Sequence, residues 1–209
     1  MKAAVVALAV LVLMVACNSH TPRPTAQWSE SVDVRHRERV VVSYRARLDG
    51  DMLVVEATHA PEWHTYALDN VQRAQRKSGR SKPDTELPTR IEVTGGLKVV
   101  GNWFQSEPTD LSQADIYWYT WGFEGVSQFA AKTERAEGSQ ATVVINGQAC
   151  DATACSMVED VAVSLPLPSE EQFTADVANT TVDLSQFVEA TPHQTEADAS
   201  ASSDAQAAE

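Results

Sequence analysis

Two thiols carry the chemistry that this sequence could perform: Cys150 and Cys155, separated by Asp151-Ala152-Thr153-Ala154 within GQACDATACSMVEDVAVSLPLP, residues 147–168. Alternating segments flank them. Ala141, Val143 and Ile145 alternate with Thr142 and Asn146 before the turn, and Val161, Val163, Leu165 and Leu167 alternate with Asp160 and Ser164 after it. Period two predicts half-buried strands, so a sheet would position both cysteines. Several uses of a thiol pair are excluded by the pattern. A thioredoxin site is Cys-x-x-Cys at the start of a helix, c-type haem attachment wants histidine directly after the second cysteine, and structural zinc takes four ligands. None of these patterns is present. No metal and no cofactor is therefore expected.

What a thiol pair does depends on its redox compartment. Lys2 is followed by an apolar run from Ala3 to Ala16, too short for a stable membrane span but suited to the core of a signal peptide. The run ends in Met14-Val15-Ala16-Cys17, which resembles a bacterial lipobox, with methionine where leucine is usual. The resemblance implies cleavage before Cys17 and lipidation of its thiol. An ordinary cleaved signal with a spare cysteine is the alternative. In both cases the chain is exported, and no later stretch is apolar enough to cross a membrane. The expected location is the bacterial cell envelope, anchored by lipid and facing the periplasm.

Of the three cysteines, Cys150 and Cys155 then remain, an even number in an oxidising compartment. A disulfide between them would close a short ring and contribute only about 2 kcal/mol in the chain-entropy view. Stability is thus a weak reason for the bond. A small exposed ring suits a labile or catalytic disulfide, and a structural one stays open.

The elements that must hold the pair are legible along the chain. Residues 18–37 are polar with two prolines and read as a tether, in which Trp28 stands alone. From Arg39 the alternation of Val40, Val42, Tyr44 and Ala46, an Asp49-Gly50 turn, and Leu53, Val55 and Ala57 predict a hairpin. A short aromatic strand around Trp63 to Leu68 includes His64, read as a packed or edge histidine. Residues 69–86 carry Arg73, Arg76, Lys77, Arg80 and Lys82 and predict a long solvated loop with a helical turn near Val71 to Gln75. Further short runs follow at Leu87 to Val93, Leu97 to Val100, Ile116 to Phe123 and Ser127 to Thr133. Short strands punctuated by Gly, Pro and Asp, with no long helical period, predict an all-β sandwich over residues 38–168. Residues 169–209 hold nine carboxylates and no Lys or Arg, and predict a disordered acidic tail. A net charge of −13 on an exported chain excludes nucleic acid as a partner.

Four pieces in order, Trp63-His64-Thr65-Tyr66, Leu87-Pro88-Thr89, the Tyr119 to Phe129 strand pair, and Gln148-Ala149-Cys150-Asp151 with Cys155, resemble the amino-terminal periplasmic domain of the thiol-disulfide interchange protein DsbD. The resemblance covers roughly residues 38–168. It implies an immunoglobulin-like sandwich, with Cys150 and Cys155 as a redox pair relaying reducing equivalents. The implied partners are a separate membrane or thioredoxin-like electron donor and oxidised envelope proteins as substrates. The family covers its pair with a cap bearing an aromatic ring and acidic neighbours, which makes Trp103 or Phe104, with Glu107, the expected shield; plain core is the alternative for both rings. The family often has prolines soon after the second cysteine, whereas Ser156-Met157-Val158 follow here.

Electrostatics bear on the same residues. Exchange needs a thiolate, favoured by nearby cations, yet Asp151 adjoins Cys150 and no Lys or Arg follows Arg135. A sluggish free nucleophile, activated when a partner docks, is the expectation. Two classes of function remain: a lipid-anchored exchange domain, or a non-enzymatic envelope binding or assembly module whose disulfide merely fixes a turn.

Overall fold

The structure, a computed structural model, describes residues 26–178 and 180–190. Cys17, the expected leader and the last part of the expected tail lie outside the described residues. Two antiparallel sheets face one another. The first is built from β1 (Val32–His36), β2 (Arg39–Asp49), β3 (Met52–His59), β9 (Val126–Arg135), β6 (Leu97–Gln105) and β12 (Val188–Ala190), in that spatial order. The second runs β11 (Cys155–Pro166), β10 (Gln140–Cys150), β4 (His64–Tyr66), β8 (Trp121–Phe123) and β7 (Thr109–Asp110). β5 (Arg90–Gly95) pairs with the early half of β10, and β4 with its last two residues. This is the all-β, immunoglobulin-like sandwich expected from the alternation. Among the described residues no helix is long and apolar enough to cross a membrane.

The inward positions of the alternating runs make the core. Val42, Tyr44, Ala46, Leu53, Val55, Ala57, Phe129 and Ala131 meet Ala141, Val143, Ile145, Val163 and Leu165 in one buried cluster. Side chains two apart on a strand share a face, so these runs each bury one face.

Three segments differ from expectation. Within the expected tether, β1 pairs with β2 and joins the sheet, and the Trp28 ring lies 4.5 and 4.8 Å from the guanidinium groups of Arg45 and Arg47. Charged Asp33 and Arg35 take the exposed positions that alternate with Val32 and Val34 on this edge strand, a usual way to blunt an edge. Within the expected loop, α1 (Asn70–Ser78) is a full helix ended by Gly79 in the left-handed region at φ 69°. Its apolar content is low, and Asn70 and Ala74 are what it buries. An ion pair of 2.8 Å between Arg73 and Asp69 supports its first turn.

The tail is the third. α2 (Glu170–Val177) is N-capped by Ser169, whose hydroxyl accepts from the Gln172 amide at 3.3 Å, and Phe173 joins the core. Thr181 donates its amide and hydroxyl to the Asp49 carboxylate at 3.2 and 2.5 Å. β12 then pairs with β6, and Ala190 is fully buried. An open edge on β6 explains the docking, because its backbone donors and acceptors need partners.

Candidate functional site

The cysteines close the β10–β11 hairpin. Cys150 and Cys155 are directly opposed, with Cα atoms 4.1 Å apart, and are joined by a disulfide. Asp151 builds the turn between them: its Oδ1 accepts from the Thr153 amide at 2.7 Å, the Thr153 hydroxyl at 2.9 Å and the Ala154 amide at 2.8 Å. These hydrogen bonds to Thr153, ahead of smaller contributions from Ala154 and the charge of His36, hold its carboxyl below the usual range. Asp151 is therefore chiefly the residue that shapes the turn.

Cys150 faces outward on the unbroken alternation of β10, and a bulge in β11 turns Cys155 to the same side. Ile145 pairs with Val161 but Gly147 pairs with Val158, so β11 carries one extra residue there. Asp160 adopts φ 48°, and its amide donates to Asn146 Oδ1 at 2.9 Å. One added residue reverses the parity of β11 beyond it, while β10 keeps its own, Ala149 staying in the core with Ile145. Val161 and Val163 point inward on one side of the bulge; on the other Val158 does, and Met157 and Cys155 turn outward to the face that their partners Gln148 and Cys150 already occupy.

On that outer face the second sheet adds β4. Cys150 pairs with His64, which brings His64, Tyr66, Gln148 and Cys150 onto one side. His64 Nε2 and the Tyr66 hydroxyl share a hydrogen bond of 3.1 Å, with the rings edge to face. Gln148 Nε2 points at both sulfurs, 3.4 Å from Cys150 Sγ and 4.0 Å from Cys155 Sγ. The same amide donates to the Glu86 carboxylate. Glu86 arrives on the segment between α1 and β5, which runs close over the hairpin at Gly147. That glycine has φ 147°, and a Cβ there would stand 3.0 Å from the Pro88 carbonyl and 3.2 Å from Thr89 Cα. A carboxylate oxygen of Glu86 and the two sulfurs all lie within 4.8 Å of one another.

The two sulfurs differ in access. Cys150 is 2% exposed, whereas Cys155 stands on the surface. The surrounding groups are shifted by this partial burial. Burial pushes the His64 imidazole below its ordinary value, against the pull of Glu124, Glu86 and Asp151. Burial, helped by the Glu86 charge, pushes the Tyr66 phenol up, and its hydrogen bond with Gln148 opposes this. At neutral pH the face therefore presents a neutral imidazole and a protonated phenol beside carboxylates. On the opposite side of β11, toward the first sheet, His36 Nδ1 and Ser156 Oγ are 2.8 Å apart, and the His36 ring lies obliquely near Trp63.

The expected shield is not brought to the pair. Trp103 lies in the core on β6, in the sheet that does not carry the cysteines. Phe104 follows it on the same strand opposite Ala130 and Glu189. Glu107 lies 3.9 Å from Arg73. No described contact joins any of the three to the disulfide. Glu86 and Gln148 stand beside it instead. Gln148 was legible by parity, two residues before Cys150, but Glu86 sits in a polar segment 64 positions upstream of Cys150 in the numbering, with no pattern to single it out.

Neither a protein-family profile nor a curated protein matches the sequence. Solved structures do resemble it. One is the N-terminal periplasmic domain of ScsB from Proteus mirabilis, at 18% identity and a TM-score of 0.45, covering 76% of this chain and 61% of that one. Another is the N-terminal domain of DsbD from Neisseria meningitidis in its reduced form, at 12% identity and a TM-score of 0.39, covering 60% of this chain and 83% of that one. The chain thus spans less than two thirds of the ScsB domain.

Proposed function

We propose that this chain is an exported thiol-disulfide exchange domain whose reversible couple is Cys150–Cys155. The observation that carries the reading is the asymmetry of the pair: one exposed sulfur, turned outward by the bulge in β11, and one buried sulfur with an amide donor aimed at it. A partner thiolate attacks Cys155 Sγ, the sulfur it can reach. The sulfur–sulfur bond breaks, and its electron pair leaves on Cys150, where Gln148 Nε2 donates to the emerging thiolate until it takes up a proton. A second thiol of the donor then attacks the donor sulfur of the mixed disulfide and releases Cys155 as a thiol. The donor leaves as a disulfide and the pair is left as a dithiol; an oxidised substrate reverses the sequence. The donor in this reading is a separate membrane or thioredoxin-like protein, and the recipients are oxidised envelope proteins. Cys17 carries the lipid, the segment between it and Trp28 tethers the sandwich to the membrane, and no cofactor takes part.

The near-complete burial of Cys150 within paired strands favours a second reading, a binding or assembly module with a structural bond. One measurement separates them: the reduction potential of the couple in defined thiol buffers. The exchange reading expects a value within roughly −120 to −270 mV, the span of known exchange proteins, and a value below about −300 mV would leave the structural reading. Trapping adds direction. Cys150→Ala leaves the exposed sulfur and is expected to accumulate mixed disulfides with partners, whereas Cys155→Ala is not.

A further inference from the structure

The carboxylate held over the disulfide gives the reduced site a chemistry that the oxidised site lacks. Glu86 and the two sulfurs already lie within 4.8 Å of one another. Tetrahedral zinc, with bonds of about 2.3 Å to sulfur and 2.0–2.2 Å to oxygen, places its ligand atoms roughly 3.5–3.8 Å apart. The difference is within reach of side-chain rotation, and opening the sulfur–sulfur bond lets the sulfurs separate to that distance while their strands stay paired. We infer that the reduced domain binds one zinc ion, or a similarly thiophilic divalent cation, through Cys150 Sγ, Cys155 Sγ and the Glu86 carboxylate, with a fourth position left open.

Three features of the site support this beyond proximity. The Glu86 carboxylate is positioned by Gln148, whose amide donates to it and also points at both sulfurs, so the three donors are held by one side chain. Metal thiolates commonly depend on such outer hydrogen bonds. No Lys or Arg follows Arg135, so the hairpin bringing the thiols carries no cation of its own to compete for them. The cation also offsets the repulsion that two thiolates beside a carboxylate would otherwise feel. Burial of Cys150 removes one side of the site from water, while exposed Cys155 leaves an entry path.

The steps balance. An external dithiol reduces the disulfide and departs as its own disulfide, giving two cysteine thiols. Zinc then replaces both thiol protons, releasing two protons to solvent and forming two zinc–sulfur bonds and one zinc–oxygen bond. A bound ion withdraws both sulfurs from exchange, so zinc holds the pair in its reduced, inactive form. The inference shares with the exchange reading the requirement that the pair be reducible.

Its test is the couple's potential measured with and without zinc, using a thiol-free phosphine to set the reduced end and cobalt as a coloured probe. Because the ion binds the reduced form alone, free zinc at about 100 times its dissociation constant favours that form about 100-fold. That corresponds to a rise of about 59 mV in potential. Reduced protein is also expected to take up one cobalt ion with a sulfur-to-cobalt charge-transfer band, and to release two protons. Glu86→Gln, which preserves shape and can keep an acceptor for Gln148, is expected to weaken the metal at least about tenfold. Absence of the band, or an unchanged affinity in E86Q, would overturn the site. A metal-free potential below about −300 mV with the band intact would remove the exchange reading and leave the metal site standing. A potential within the exchange range with no zinc response would do the reverse.

Discussion

At the scale of single residues, Glu86 and Asp151 are both acidic neighbours of the cysteines but act differently. Asp151 directs Oδ1 into the turn, to Thr153 and Ala154, and most of its acceptor capacity is used there. Glu86 instead faces the sulfurs, held by Gln148. An anion about 5 Å from a thiol, in a surface site of intermediate polarity, disfavours the thiolate by about 1–3 kcal/mol. Reduced protein should therefore alkylate slowly near neutral pH, and Glu86→Gln should speed the reaction about fivefold or more when chelator is present. Iodoacetamide kinetics at pH 7 measure this. Equal rates would show that Glu86 does not control the nucleophile. Asp151→Asn, by contrast, keeps acceptor geometry for the turn and should change the rate less than E86Q does.

At the scale of elements, the hairpin and the segment above it form one device. The bulge brings Cys155 to the face that Cys150 occupies, and Gly147 sets how closely the 86–89 segment can lie. Gly147→Ala adds a Cβ 3.0 Å from a backbone carbonyl, at a φ that L residues rarely adopt. It should lower stability by about 1–3 kcal/mol and expose the disulfide to faster reduction by dithiothreitol. Faster reduction without such a loss of stability would show that the segment moves freely. The strands themselves were legible, because the inward run Ala141, Val143 and Ile145 keeps period two without interruption. The bulge was not: Asp160 in the left-handed region follows from pairing with Asn146 across the hairpin, which no local pattern in the sequence reveals. The described part of the tail departs from expectation for a related reason. Its polar composition is real, but Phe173 and Ala190 find apolar cover from the sandwich, and the edge of β6 supplies hydrogen bonds that a free chain lacks. Phe173→Ala should accordingly cost about 3 kcal/mol in chemical denaturation, as for a core phenylalanine. A neutral result would return the segment to the status of a solvated tail.

At the scale of the whole molecule, acid should loosen the sandwich from its middle, through two histidines on β3 and β4. His59 is buried between the sheets' partners: the Gly125 carbonyl only accepts, so His59 Nδ1 carries the proton at 2.9 Å, and Nε2 accepts from the Thr65 hydroxyl at 2.8 Å. The Tyr44 hydroxyl, fully buried, bonds to Thr65 in turn. Protonating Nε2 would turn an acceptor into a donor and place a charge in this chain of hydrogen bonds. Burial accordingly pushes His59 below its ordinary value, with the Gly125 carbonyl and Glu124 opposing and His64 adding to the depression; His64 is pushed down by burial as well. The sign follows from proton counting. With folded values below about 6.5, the unfolded chain binds more protons between the two values, so stability falls as pH falls through that window and levels off beneath the folded values. Each histidine contributes a slope of at most about 1.4 kcal/mol per pH unit. Asp151 is depressed too, and extends the loss in the same direction at lower pH. Urea midpoints between pH 7.5 and 5 should therefore decline, and His59→Gln, which keeps a donor and an acceptor but cannot titrate, should flatten the decline even though it lowers stability at pH 7.5. An equally steep decline in H59Q would rule out His59 as its source and leave His64 on β4 and the carboxylates that give the chain its charge of −13.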